Sequence, residues 1–215
     1  MISLKCNVLL DNYPELSELS DQDCPVNATF TLLGEAVRRA CGQTTVCRDG
    51  LLQLYTIVSD ITEGKGRGDD CSLLEDLCSM IIIDGDCPLS VKTAEAVLYS
   101  IHTFPEEWEK HCVRRLCVHQ LCHGCYSLYI DPELCNGCGK CRESAPENAI
   151  LGSAGMIHII QKDTQLKNEA FINSCPLHAI KKAGAVNPKL PQTPIPAGTF
   201  SGGGLRRKRV SRLKQ

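Results

Sequence analysis

Aromatic side chains are scarce in this chain of 215 residues, at 5% of the total with a single Trp and four Phe. Any core must therefore be built from Leu, Ile, Val and Ala, and metal ligation can substitute for part of it. No stretch of 18 apolar residues occurs, which excludes a conventional membrane-spanning helix. Met1 to Pro14 lacks both the basic leader and the apolar run of a signal peptide, so a soluble cytoplasmic protein is expected. Also missing is a G-x-G-x-x-G turn opening a helix after a strand. The Gly64, Gly66, Gly68 cluster is too polar and lacks the strand. No Ser/His/Asp set suggests hydrolysis, and each Cys/His grouping is better explained by metal ligation.

What is abundant is cysteine, with 15 residues. An odd number cannot all pair, and the fraction is below that of a short secreted disulfide scaffold, so intracellular metal binding is the better reading. The net charge of -2 conceals an asymmetry. Arg206, Arg207, Lys208, Arg209, Arg212 and Lys214 crowd the C-terminus without an acid, leaving 17 basic against 25 acidic residues elsewhere. A basic tail of this kind after a proline-rich linker suits an acidic subunit surface as well as it suits nucleic acid. It has little aromatic content for base stacking beyond Phe200, so nucleic acid is the weaker reading.

Periodicity divides the chain. Residues 1–30 read as an irregular arm, and residues 31–112 as a helical bundle. Its first helix carries Leu32, Leu33, Ala36 and Val37. The second runs from about Arg48 to Glu63 and is ended by the glycine cluster. A third is capped by Asp69 or Asp70, and a fourth begins near Ser90. Residues 113–126 form a Cys-rich junction. Residues 127–183 change to short strands and helices, with Ser127 to Ile130, Ala149 to Leu151 and Met156 to Ile160 extended and Leu166 to Ser174 helical. Residues 184–215 read as a Pro/Gly linker and basic tail.

The strongest motif is Cys135-Asn-Gly-Cys138-Gly-Lys-Cys141, the C-x2-C-x2-C run that wraps a cubane cluster. One tight loop presents three thiolates, and its glycines let backbone amides approach the sulfides. In two-cluster ferredoxins the run continues as C-x3-C-P, and that fourth Cys ligates the other cluster. Here Ala145 occupies the fourth position, and counting back from Cys175-Pro176 gives Phe171, Asn168 and Gln165 where a second run would have its cysteines. One complete set, Cys135, Cys138, Cys141 and Cys175, thus survives. The other, Gln165, Asn168, Phe171 and Ala145, is erased throughout, as expected of a ferredoxin-like fold that retains one 4Fe-4S cluster. A zinc site with the same four thiolates is the bland alternative.

The stretches Tyr129 to Ile150 and Cys175-Pro-Leu-His-Ala-Ile180 resemble the ferredoxin domain appended to flavoprotein subunits of NAD-linked, often electron-bifurcating, hydrogenases and formate dehydrogenases. These subunits are similar to the NADH-binding subunit of respiratory complex I. The resemblance spans roughly residues 31–183. Cys41-Gly-Gln-Thr44-Thr-Val-Cys47-Arg-Asp-Gly50 resembles that family's C-G-x-C-x-P-C-R-E-G, and Cys87-Pro-Leu89 matches its later fourth ligand. The middle cysteine is Thr44 here, a poor iron ligand. Three outcomes stay open for Cys41, Cys47 and Cys87. A 4Fe-4S cluster could be completed by water, Cys71, Cys78 or Thr44; a 3Fe-4S cluster could form; or the site could be empty.

The resemblance also places His111, Cys117 and Cys122 where bifurcating relatives carry a His and a C-x4-C pair. Such a set suits tetrahedral Zn2+, with Cys78, Cys112 or Cys125 as fourth ligand, and free buried thiols are the alternative. His102, His119, His158 and His178 have no ligand spacing and read as structural or surface residues.

The expected class is therefore α+β, a small four-helix bundle carrying iron–sulfur ligands followed by a ferredoxin-like domain with one of its two cluster sites lost. The resemblance implies an iron–sulfur electron-transfer subunit of a multisubunit anaerobic oxidoreductase, with flavoprotein and other redox subunits as partners. No NADH or flavin site of its own is expected. The competing reading is a metal-stabilised scaffold that docks redox subunits without carrying electrons.

Overall fold

The computed structural model describes residues 22–161, 166–167, 169–184 and 188–200, together with Leu16, Leu19 and Ser20. The chain divides into two compact units at Tyr126 and Ser127. Gln165, Asn168 and the basic tail lie outside the described residues.

Among the described residues the first unit contains five α-helices: α1 (Pro25–Arg39), α2 (Leu51–Thr62), α3 (Asp70–Asp84), α4 (Pro88–Thr103) and α5 (Pro105–Arg114). A four-helix bundle is thus corrected to five helices. The extra one is α5, whose ten residues include three acids but bury only Trp108, His111 and Cys112. Its inward stripe is too short to stand out as a period. Pro105 separates α4 from α5, because proline lacks the N–H that α4 would need and supplies a preset φ for the first residue of α5. Helix α1 also begins earlier than the periodicity indicates, at Pro25 inside the stretch read as an irregular arm.

Helix α1 packs against α2 and α4, and α3 against α4. The buried core includes Leu33, Leu54, Val58, Ile61, Leu74, Ile81, Val97 and Trp108. Within it runs a chain of polar contacts. Trp108 Nε1 donates to Ser100 Oγ (3.1 Å), Ser100 Oγ lies 2.9 Å from Thr29 Oγ1, and Thr29 donates to the Pro25 carbonyl (2.8 Å). Three buried side chains satisfy one another and tie α1, α4 and α5 together.

At the end of α2 the chain turns through Gly64 at φ +73, the left-handed conformation that commonly closes a helix. That turn meets the short 3-10 turn His123–Cys125 backbone to backbone. A Cβ on Gly124 would stand 1.7 Å from the Glu63 carbonyl carbon.

Among the described residues the second unit holds two antiparallel strand pairs. Strand β1 (Ser127–Ile130) pairs with β4 (Ile180–Ala183), Ser127 opposite Ala183 and Ile130 opposite Ile180. Strand β2 (Ile150–Leu151) pairs with β3 (Ile159–Ile160). The short helices α6 (Lys140–Glu143) and α7 (Glu169–Ile172) lie between them in sequence. The core is Ile130, Cys141, Ala149, Ile150, Leu166, Phe171, Ala179 and Ile180. Part of the segment read as a linker packs here: Ile157 N–H donates to the Ile195 carbonyl (2.7 Å), Ala197 N–H to that of Gly155 (2.9 Å), and Met156 bridges Pro196. The hydrogen bonds of this bridge are made by the neighbours of Pro196, Ile195 and Ala197, so the proline's missing N–H costs nothing there.

Replacing Ser100 with Ala should leave the buried Trp108 N–H without its acceptor. Loss of about 1–3 kcal/mol in a denaturant titration followed by Trp108 fluorescence is the expected outcome; an unchanged midpoint would show that water reaches the indole.

Candidate metal centres

Three groups of cysteines gather in the structure, and none of the described cysteines forms a disulfide. The tightest is in the helical unit. Side-chain donors of Cys24, His111, Cys117 and Cys122 all lie within 4.8 Å of one another, and all four residues are buried. Cys24 Sγ is 3.7 Å from Cys122 Sγ, and each of these sulfurs is 3.4 Å from His111 Nε2. A tetrahedral ion with metal–sulfur bonds near 2.3 Å needs sulfur–sulfur edges of about 3.8 Å. The spacing fits one mononuclear ion.

Local chemistry sets each donor. Pro25 confines Cys24 to extended backbone (φ -100, ψ 117) just ahead of α1, so its sulfur leaves the helix end without competing for a place in the first turn. His111 donates Nδ1–H to the Glu107 carbonyl one turn back (2.7 Å), which leaves Nε2 as the ligand atom. After α5, Arg115 adopts φ +53 and Leu116 N–H reaches back to the Lys110 carbonyl (3.1 Å), reversing the chain toward Cys117. Burial lowers the pKa of His111, but hydrogen bonds to the Cys117 and Cys24 sulfurs raise it overall to about 10. Hydrogen bonds with Cys122 and Cys24 hold the Cys117 thiol far below the ordinary thiol range, and those with Cys117 and Cys24 push Cys122 up. A divalent cation would take the place of the shared protons.

The fourth member is Cys24, which corrects the expectation of Cys78, Cys112 or Cys125. Cys78 is enclosed in the apolar core, where burial and then the Glu75 charge push its thiol up to about 12. Cys112 faces Cys71, with Sγ atoms 3.5 Å apart. Cys125 Sγ turns toward the Ile61 and Thr62 carbonyls, at 3.9 and 4.0 Å. The usable signal was the dipeptide Cys24-Pro25, which repeats the form of Cys87-Pro88 and Cys175-Pro176.

The second group brings Cys41, Cys47 and Cys87 around one small cluster with Ala36, Leu51 and Leu89. Cys47 stands on a π-helical turn, Val46–Gly50, and Cys87 precedes Pro88 at the start of α4. Thr44 Oγ1 accepts the Cys47 N–H (3.3 Å), so the hydroxyl is engaged with backbone. Neither Cys71 nor Cys78 belongs to this cluster, since both pack with the larger core.

The third group is in the second unit. Asp131 O accepts the Cys135 N–H (3.0 Å), and Asn136 Oδ1 accepts that of Cys138 (3.1 Å). Gly137, at φ +74, presses so closely on the neighbouring chain that a Cβ would stand 2.7 Å from Gly155 C and Met156 N. Cys141 begins its turn inside α6, and Ala179 N–H donates to Cys175 Sγ (3.4 Å). Burial, then the charges of Cys135, Cys138 and Cys175, push the Cys141 thiol up to about 11. Cys135 and Cys175 pack against the same core as Cys141. Cys138 is exposed and Cys141 buried. Phe171 is buried, and Ala145 packs against the same core.

Residues 30–111 match the family described as the NADH-ubiquinone oxidoreductase-F iron-sulfur binding region. Over 140 residues the chain is 31% identical to the NADP-reducing hydrogenase subunit HndC of Solidesulfovibrio fructosivorans, covering 65% of this chain and 29% of the relative. It is 32% identical over 94 residues to an NADH-quinone oxidoreductase subunit of Streptomyces coelicolor, 44% of this chain and 21% of the relative. Ferredoxin-1 of Rhodobacter capsulatus is 34% identical over 64 residues, 29% of this chain but 95% of that protein. The chain belongs with the ferredoxins, and its residues 30–111 match the iron–sulfur region of NADH-binding oxidoreductase subunits. Its cofactor is accordingly a 4Fe-4S cluster, and its class is that of metal-binding electron-transport proteins. The chain spans less than a third of the hydrogenase and quinone-oxidoreductase relatives. Among the described residues no helix is long and apolar enough to cross a membrane.

Replacing Cys24 with Ala removes one of four donors while leaving Pro25 to start α1. Metal analysis should then show about one equivalent less of a mononuclear ion per chain and a lower thermal midpoint. Unchanged metal content would remove Cys24 from the site.

Proposed function

We propose that this chain is the electron-relay part of a multisubunit NAD-linked oxidoreductase working in the cytoplasm. It would pass electrons between a flavin or cluster on a partner subunit and another redox centre. The observation that supports the reading is that Cys135 and Cys175 pack against the same core as the buried Cys141, with Cys138 on the loop between Cys135 and Cys141.

These four cysteines would hold the 4Fe-4S cluster within a ferredoxin-like unit whose second site has been replaced by Ala145, Gln165, Asn168 and Phe171. When bound, the cluster supplies reversible one-electron chemistry. The protein's part is to position and to insulate. Gly137 brings the ligand loop against Gly155, Ala179 directs an N–H at the Cys175 sulfur, and Ile130, Ile150 and Phe171 keep water from the buried side. The exposed Cys138 leaves one edge open to a partner. Cys41, Cys47 and Cys87 are proposed ligands of a second cluster, with Thr44 occupying its backbone hydrogen bond instead of serving as a thiolate. Cys24, His111, Cys117 and Cys122 suit Zn2+, which would bind α1, α5 and the following turn together without redox chemistry.

A scaffold reading draws support from Thr44, because its engaged hydroxyl leaves only three thiols in that group. Iron, zinc and acid-labile sulfide analysis of the anaerobically prepared chain separates the two. About four irons indicate the Cys135 cluster alone, about eight indicate both clusters, and zinc without iron supports the scaffold. In EPR of the reduced protein, Cys138→Ser should abolish the ferredoxin-type signal, whereas Gln165→Ala and Asn168→Ala should leave it unchanged. A signal that survives in Cys138→Ser would overturn the ligand assignment.

A further inference from the structure

A histidine that has no ligand spacing in the sequence stands beside the ferredoxin-type ligand loop. His158 is 1% exposed, and its Nδ1 lies 3.9 Å from the Cys135 sulfur. Its other ring nitrogen, Nε2, is buried without a hydrogen-bond partner. The ring is held closely in place: a Cβ on Gly152 would stand 2.9 Å from its Cδ2. Burying an imidazole at this cost is unexplained by packing alone, since an apolar ring would leave no polar atom unsatisfied.

We propose that His158 donates an Nδ1–H hydrogen bond to the Cys135 sulfur and thereby raises the reduction potential of the cluster that Cys135 helps to hold. The proposal rests on the ligand assignment given above. A neutral imidazole carries one N–H, and a metal-bound thiolate sulfur can only accept, so the proton belongs on Nδ1. Nε2 is then an acceptor. His158 lines a cavity of about 560 Å³ together with Arg142, Asn148 and Ala154. An N–H directed at a ligand sulfur withdraws electron density from the iron and favours the reduced, more negative state. His158 is thus a positioning residue that acts through Cys135 and needs no contact with the partner.

The test is an EPR-monitored redox titration of the full chain with its iron content measured in parallel. His158→Phe, which keeps a ring and removes the donor, should weaken electron uptake about tenfold, equivalent to 59 mV for one electron. His158→Asn, which offers an amide N–H, should lose less. A His158→Phe protein with full iron content and the parent midpoint overturns the proposal. Should His158→Phe fail to assemble, chain carrying 15N-histidine in a His178→Gln background supplies the second measurement. Pulsed EPR on the signal that Cys138→Ser abolishes is expected to show a histidine nitrogen coupling, and its absence overturns the proposal as well. Missing iron, or a signal indifferent to Cys138→Ser, instead overturns the ligand assignment, so the two failures are separable.

Discussion

Sulfur donors must be held close together before any metal arrives to neutralise them, and the remainder of the structure is arranged around that requirement. Thiolates repel, and burial penalises each charge. The shifts at Cys141, Cys78, Cys117 and Cys122 record how strongly the thiols are enclosed or influence one another. A chain with so few aromatic side chains cannot offset that cost through packing alone. Cations bound by these groups would turn mutual repulsion into cross-links between distant parts of the chain.

One device recurs in presenting the sulfurs. Cys24 and Cys87 each precede a proline at the first position of a helix, with nearly equal backbone angles, and Cys175 precedes Pro176 at a turn. The proline ring forces its predecessor into extended backbone and removes a donor that a helix start does not need. The sulfur is therefore offered at a helix end, where unpaired amides favour negative charge. The Ala179 N–H directed at Cys175 shows a related arrangement at the turn.

Local spacing was legible in the sequence, and long-range convergence was not. Cys135, Cys138 and Cys141 fall within one short loop, so their spacing alone is enough to propose them as ligands of one group. The α+β character and most helix faces followed from periodicity. Cys24 escaped because 87 residues separate it from His111 and no period links them. Helix α5 escaped because its inward face is only three residues, and α1 was begun late because a helix opening with Pro25 precedes the first strong apolar repeat. His158 had no ligand spacing to reveal it, since its part depends on a neighbour 23 positions away.

The contact between Gly124 and Glu63 has a wider reach than its size suggests. It sits between Cys122 and Cys125 in sequence, yet its opposing surface is the end of a helix that contributes no ligand. Two bare peptide groups thus act as a gauge block: the clearance between the two turns, two residues after Cys122, is set by a missing methyl. Evolution could exchange much of the surrounding apolar filling, but a single added carbon at that seam would jam the assembly from outside the coordination sphere.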